Sequence, residues 1–245
     1  MVRGLYSAAA GMITQYKKID VVGNNISNVN TSGYKENSIA LTDFGTELAR
    51  RSTDDQQVGT MPYCVVLGNE STDFTQGSLK STGINTDLAI EGNGFFAVEA
   101  PSGGGVKYTR GGDFTVDGQG YLALPTGERL LSSDGTPLQV GGTNFSVAAD
   151  GTVTRSNGST AKLGLFSTAD QNAIAKRTDG FYSITGATAV TGQIKQGWLE
   201  QSNTDVVENM TEMMSSTRSF QSCQQAFKIS GDTIDKLVNE VGSIK

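Results

Sequence analysis

The chain has 245 residues, 19 Lys and Arg against 25 Asp and Glu, a net charge of −6 and no histidine. That length allows one large domain or two small ones, and the acidic balance argues against a nucleic-acid or anionic-membrane binder, which needs basic clusters. Without histidine, Ser-His-Asp and Cys-His catalysis are excluded, together with most zinc ligand sets.

The first predicted element is a helix. From Leu5 an apolar residue recurs every seven positions, at Leu5, Met12, Ile19 and Ile26, and a second row at Val2, Ala9 and Tyr16 precedes it by three. Rows so spaced form the seam of a helix that packs on another helix. Residues 1–12 lack the long apolar run of a cleaved secretory signal, Thr14, Gln15, Lys17 and Lys18 following at once. No run of about 18 apolar residues occurs, so no membrane insertion is expected. Residues 36–76, with scattered Ser, Thr, Asp and Gln, predict an extended connector with one or two strands.

From 77 to 200 the pattern changes to short apolar runs punctuated by turn residues. Glu91-Gly92-Asn93-Gly94 separates Leu88–Ile90 from Phe95–Val98, and Asp117-Gly118-Gln119-Gly120 separates Phe114–Val116 from Tyr121–Leu124. Asp150-Gly151, the strongest two-residue hairpin cue, lies between Phe145–Val147 and Thr152–Thr154. Further strands are predicted at Leu163–Phe166, Phe181–Ile184 and Gln193–Leu199. This spacing indicates a compact antiparallel β domain.

The last segment, 201–245, predicts a second helix. Val206, Met213, Phe220, Phe227, Ile234 and Val241 form an unbroken heptad row, with Ser202, Asn203, Thr204 and Asp205 as N-cap candidates and Gly231 as a weak point. Arg3, Lys17, Lys18 and Lys35 make the first segment basic, whereas the last is acidic, as suits helices that meet. The fold class is therefore α+β: N- and C-terminal heptad helices that pair, with a central antiparallel all-β domain between them.

A search for chemistry returns structural residues. Gly92-x-Gly94 lies between strands, lacks a third glycine and has no Lys-Ser/Thr following, and turn glycines account better for it and for the Gly103–Gly105 run than phosphate loops do. Asp117–Gly120 lacks the alternating acids and closing Glu of a calcium loop. Asp113 with Asp117, and Glu128 with Asp134, sit where Asp commonly bonds its own turn. Cys64 and Cys223 form no CxxC pair and indicate no disulfide framework, whether they meet being left open by the sequence, and Met210, Met213 and Met214 fall on the heptad face. No catalytic, cofactor-binding or metal-binding residue is assigned.

Three segments are more specific. Asn24-Asn25-Ile26-Ser27-Asn28-Val29-Asn30-Thr31-Ser32-Gly33-Tyr34-Lys35, preceded by Gly4-Leu5-Tyr6 and Gly11-Met12, resembles the N-terminal motif of the flagellar rod and hook protein family. Asp87–Phe96, containing Gly92, Gly94, Phe95 and Phe96, resembles its central signature, continued by Tyr108–Phe114 and Asp117–Gly120. Gly197-Trp198-Leu199-Glu200-Gln201-Ser202-Asn203-Thr204-Asp205 resembles its C-terminal signature. Asn24, Asn25, Asn28, Thr31, Gly33, Tyr34, Leu199, Glu200, Ser202, Asn203 and Asp205 are the positions that carry the outer two motifs. Phe220 and Cys223 depart from the Tyr and Asn of the family pattern.

The resemblance implies a structural axial subunit of the flagellar basal-body rod, in its distal part or alternatively its proximal part. It implies terminal helices forming a coiled-coil-like inner layer and a β domain outside. It also implies no enzymatic activity, delivery by the flagellar type III export apparatus, and partners that are other copies and other rod and hook proteins. The hook protein is usually longer, with an added β domain. On physical grounds, two exposed seams that make non-closing contacts with neighbours produce a helical filament. The rival reading is a soluble β-rich binding or adhesin module whose termini merely pair with each other.

Overall fold

The structure, a computed structural model, describes residues 2–50, 57–100, 105–155, 157–168, 173–177, 179–190 and 192–241; Gly103 and Gly104 lie outside them. The chain divides into two compact units. One comprises 1–27, 37–73 and 205–245, the other 28–36 and 74–204.

The first unit holds both helices and a hairpin. Helix α1, Val2–Ser27, runs through the alanine-rich start and both heptad rows, roughly 39 Å at 1.5 Å per residue. Helix α2, Val206–Lys236, opens on Asp205 in extended conformation, whose carboxylate accepts from the amides of Val207 and Glu208. That cap contributes about 1 kcal/mol, and Glu208 sits in the first turn, where the helix dipole favours an acid. Gly231 is carried within the helix despite its weak propensity, and α2 runs on into a π turn, Leu237–Val241.

The connector region contains a long ribbon. Strand β1, Asn37–Arg50, pairs antiparallel with β2, Gln57–Thr72, from Asn37 opposite Thr72 to Arg50 opposite Gln57. A lone two-stranded ribbon is marginal in water, and its base is fixed by a hydroxyl bond from Thr72 to Asn37 Oδ1 (3.0 Å) and by Ser38 against Ser71 (2.9 Å). Backbone groups of Asn37 also bond the side chain of Asn25 on α1. The side chain of Cys64, on β2, lies outside the described residues.

Among the described residues, the strand pairs of the second unit are antiparallel. Strand β3, Leu79–Ser81, pairs with Trp198–Glu200, and β4, Leu88–Glu91, pairs with Gln193–Gln196. Strand β5, Phe95–Glu99, is central: one edge takes β6, Val106–Thr109, and the other is shared between Leu165–Ser167 and Arg129–Leu130. Both faces of β5 are covered. Phe96 and Val98 enter the main core with Leu88, Ile90, Phe114 and Leu130, while Phe95 joins Tyr182 and Ile184 on the opposite side. A strand buried on two faces reads as a continuous apolar run, as Phe95–Val98 does.

The hairpin cues fare unequally. Thr115–Val116 and Leu122–Ala123 pair across the Asp117–Gly120 turn, with Asp117 Oδ1 accepting from the amides of Gln119 and Tyr121. Phe145–Val147 and Thr152–Arg155 also pair, but Ala148 N–H donates to Thr152 O, which makes a three-residue loop ending on left-handed Gly151. The Glu91–Gly94 cue is overturned. β4 and β5 are not partners, because Gly92 and Gly94, both at positive φ, turn the chain out of the β4 ladder and into another sheet.

Candidate assembly site

Helices α1 and α2 lie antiparallel within their unit. Asn25 Nδ2 donates to Asn209 Oδ1 (3.3 Å), Lys18 Nζ pairs with Glu212 (2.8 Å), and a Cβ on Gly11 would meet Cys223 Sγ at 3.0 Å. The 25/209 and 11/223 contacts share one register along the two helices.

The apolar rows lie beside the most deeply buried positions of the helix pair rather than on them, with Met213 Cε 3.6 Å from where a Cβ on Gly23 would stand. Leu5, Met12, Ile19 and Ile26 on α1, and Val206, Met213, Phe220 and Ile234 on α2, are half-buried; Phe227 is exposed, and the Val241 side chain lies outside the described residues. The fully buried helix positions are Ala8, Thr14, Val21, Val22 and Asn25 on α1, with Asn209 and Ser216 on α2. Asn209, Ser216 and Cys223 stand seven apart, as do Gly11, Lys18 and Asn25. Small and amide side chains at heptad spacing let the backbones approach, and a search restricted to apolar residues passes over them. Thr14 satisfies its hydroxyl on the carbonyls of Ala10 and Gly11.

Among the exposed helix positions are apolar ones that line up. Tyr6 (70% exposed), Ile13 (65%) and Tyr16 form one stripe on α1, at spacings of seven and three. Val207, Met210 and Met214 form another on α2, at spacings of three and four, and Ile229, Leu237 and Val238 continue the apolar exposure towards its end. Aligned exposed apolar side chains on this scale mark an interaction surface.

In the second unit the three signature segments meet. Asn28–Glu36 forms a strap that begins with a turn, Thr31 donating its amide and hydroxyl to Asn28 O and Oδ1. Gly33, at φ +66°, donates its N–H to Glu200 O (2.8 Å) and lies so close to Arg110 that a Cβ would fall 2.3 Å from the Arg110 carbonyl carbon. Ser32 Oγ donates to Asp113 (3.1 Å), and Glu36 N–H donates to Asn203 Oδ1 (2.8 Å).

Beneath the strap is a buried charge cluster. Lys35 Nζ donates to Glu200 Oε1 (2.6 Å) and to Thr75 O (2.6 Å). Arg110 donates to Glu200 Oε2 (2.9 Å) and to Gly92 O (2.8 Å), while its Nε has no partner. Glu200 also accepts from Gly77 N–H (3.0 Å), and its side chain is 1% exposed against 0% for Lys35. The Arg110 guanidinium stacks over Phe95 at 5.4 Å, which packs edgewise on Phe74 and against Tyr182. Burial holds the Tyr182 phenol well above its ordinary range, with Tyr34 and Glu200 adding to the shift and Arg110 opposing it. Tyr34 is also raised by burial and lies under Lys176 Nζ at 4.2 Å.

The remaining motif positions serve the same junctions. Gly94 and Phe96 sit in the core around β5, Leu199 is half-buried beside Glu200, Ser202 Oγ donates to Thr204, and Asp205 caps α2. Asn24, exposed, accepts on its carbonyl from Ser27 Oγ. Lys35 and Arg110 stood inside the signature segments without being singled out, since nothing local to either residue announces a carboxylate that follows much later in the chain. Among the described residues no group of three or more His, Cys, Asp or Glu could hold a metal ion, and no helix is long and apolar enough to cross a membrane.

Comparisons with known proteins match these segments. Family models described as flagella basal body rod protein, flagellar hook protein FlgE/F/G D1 domain and flagellar basal body rod FlgEFG protein C-terminal match residues 5–35, 89–159 and 195–240. Lys35, Arg110 and Glu200 each fall in a different one. The flagellar basal-body rod protein FlgG of Bacillus subtilis is 33% identical, covering 98% of this chain and 99% of its own. The flagellar hook-basal body complex protein FlhO of the same organism is 32% identical over all of both chains. The flagellar basal-body rod protein FlgF of Caulobacter vibrioides is 31% identical, again over all of both. With its three signature segments matched in order and relatives aligned end to end, the chain belongs to the flagellar basal-body rod and hook protein family.

Proposed function

We propose that the chain is a structural, non-catalytic subunit of the flagellar basal-body rod, stacking through its terminal helices into a helical shaft that transmits torque towards the hook. The observation that carries the reading is the pair of outward apolar stripes, Tyr6, Ile13 and Tyr16 on α1 and Val207, Met210 and Met214 on α2. They remain after the two helices of one chain have packed together. A stripe on α1 of one copy meeting the α2 stripe of the next is a heterologous contact, and repeated without closure it yields a filament. The heptad rows support coiled-coil-like packing in such a layer.

Within the rod we assign the distal part, because the opening Arg3-Gly4-Leu5-Tyr6 and the central signature resemble that group. The family resemblance further supports delivery through the flagellum's own type III export apparatus, with neighbouring rod and hook proteins as partners. Electron microscopy of isolated basal bodies tests the assignment, using a small tag inserted in the exposed turn at Asn157 and Gly158. Label near the hook end supports the distal position, and label near the membrane ring moves the subunit to the proximal rod. Absence of label from basal bodies of swimming cells that make the tagged protein overturns the reading.

A further inference from the structure

The second unit contains two kinds of interior. Its apolar clusters, around Phe96 and around Phe95 and Tyr182, draw no residue from the strap 28–36. The strap is instead held by polar contacts, chief among them Lys35 on Glu200, and Glu200 is shared with Arg110. Lys35 and Arg110 both precede Glu200 in the chain. A buried ammonium and a buried guanidinium converging on one place repel until the carboxylate between them arrives.

We propose that Glu200 is a latch: the β core forms without the strap, and the strap docks only when Glu200 is in place to neutralise the cations on either side.

The latch makes an asymmetric demand on substitution. Glu200→Gln keeps the shape and an acceptor for Gly77 N–H but removes the charge shared by two buried cations. Lys35→Met leaves Glu200 with Arg110 and Gly77 N–H, and Arg110→Met leaves it with Lys35 and Gly77 N–H. Replacing both Lys35 and Glu200, as Lys35→Met with Glu200→Gln, leaves one cation resting on Gly92 O and the Phe95 ring.

Hydrogen exchange on the full chain tests the proposal, read at the amides of Gly33 and Glu36 in the strap and at Phe96 and Val98 in β5. In Glu200→Gln, strap exchange should accelerate at least about a hundredfold with β5 still protected, and by more than in Lys35→Met or Arg110→Met. In pulse-labelled refolding of the wild-type chain, β5 should gain protection before the strap. Equal or smaller acceleration in Glu200→Gln than in Lys35→Met overturns the latch, as does simultaneous protection of strap and β5. If Glu200→Gln does not fold, a double variant that folds with β5 protected supports the latch, and a double variant that also fails overturns it.

Discussion

Lys35 Nζ and Glu200 Oε1 lie 2.6 Å apart across 165 positions of sequence, with both side chains withdrawn from water. Desolvating two charges costs several kcal/mol each, so such a pair need not stabilise a fold more than a well-packed apolar pair would. Its effect is on uniqueness. Lys35 can be buried only where an acceptor set of this geometry exists, and Glu200 with Thr75 O supplies it at one place. The cluster thereby fixes which stretch of chain crosses which, joining residues from all three signature segments of the family.

Gly33 sets how closely the strap can lie. Its φ of +66° favours glycine, and an added Cβ would stand 2.3 to 2.5 Å from Arg110 and Gly111 backbone atoms. Gly33→Ala is therefore expected to destabilise by more than about 2 kcal/mol, from the left-handed backbone and the clash together. Urea denaturation followed by circular dichroism measures it. A loss below about 0.5 kcal/mol would mean that the strap does not sit against Arg110 as described.

Asn25 and Asn209 are expected to behave unequally although they bond each other. Asn25 also accepts from the Asn37 amide (3.1 Å) and donates to the Asn37 carbonyl (2.8 Å), joining α1 to the hairpin base, whereas Asn209 turns its amide back on Asp205 O (2.9 Å). Asn25→Ala removes the partner of two partly buried backbone groups, at about 1 kcal/mol or more for each one left unsatisfied. Asn209→Ala should cost about 1 kcal/mol. Denaturation midpoints of the two variants give the comparison, and equal losses would show that the helix-to-helix bond, not the hairpin contact, dominates.

Alkaline stability should report on Tyr182. Its phenol is raised by burial, and Tyr34 and Tyr108 are raised in the same direction for the same leading reason. The folded state thus favours the protonated phenol more than the unfolded state does. That contribution is complete below the ordinary tyrosine pKa of about 10 and is lost as pH rises above it towards the folded value. Stability should fall from about pH 10 upward, with tyrosinate absorbance appearing together with unfolding. Tyr182→Phe should flatten the fall; an unchanged profile would point to the other two tyrosines.

Elements governed by local periodicity were legible in the sequence. The heptad rows and cap candidates indicate both helices, and Asp117–Gly120 marks its turn, because spacing and turn chemistry act over a few residues. Pairings decided by distant contacts were not. β4 follows the apolar and glycine pattern of a hairpin arm, yet its ladder partner is Gln193–Gln196, about a hundred residues on, because the two glycines turn the chain away from β5. The seam of the helix pair was obscured for a different reason. Its contacts include Gly11 with Cys223 and Asn25 with Asn209, and Ser216, at heptad spacing between Asn209 and Cys223, is buried; the value of these residues lies in small size or amide bonding rather than hydrophobicity.

The outward stripes can be tested for the partner each one seeks. Ile13 and Met214 are 65% and 56% exposed, so Ile13→Asp or Met214→Asp should change monomer stability by no more than about 0.5–1 kcal/mol. Either should abolish self-association and motility, as should Phe227→Asp on the exposed later part of α2. Purified variants compared by sedimentation, alongside swimming assays in cells lacking the native copy, separate assembly from folding. A second charge then identifies the contact. If the α1 stripe of one copy meets the α2 stripe of the next, Ile13→Asp combined with Met214→Lys places opposite charges across the interface and should restore part of the association. If α1 stripes meet α1 stripes, the combination puts like charges together at two interfaces and restores nothing. Monomers that assemble normally with either single substitution would remove both stripes from the shaft contact and leave the half-buried heptad rows to form it.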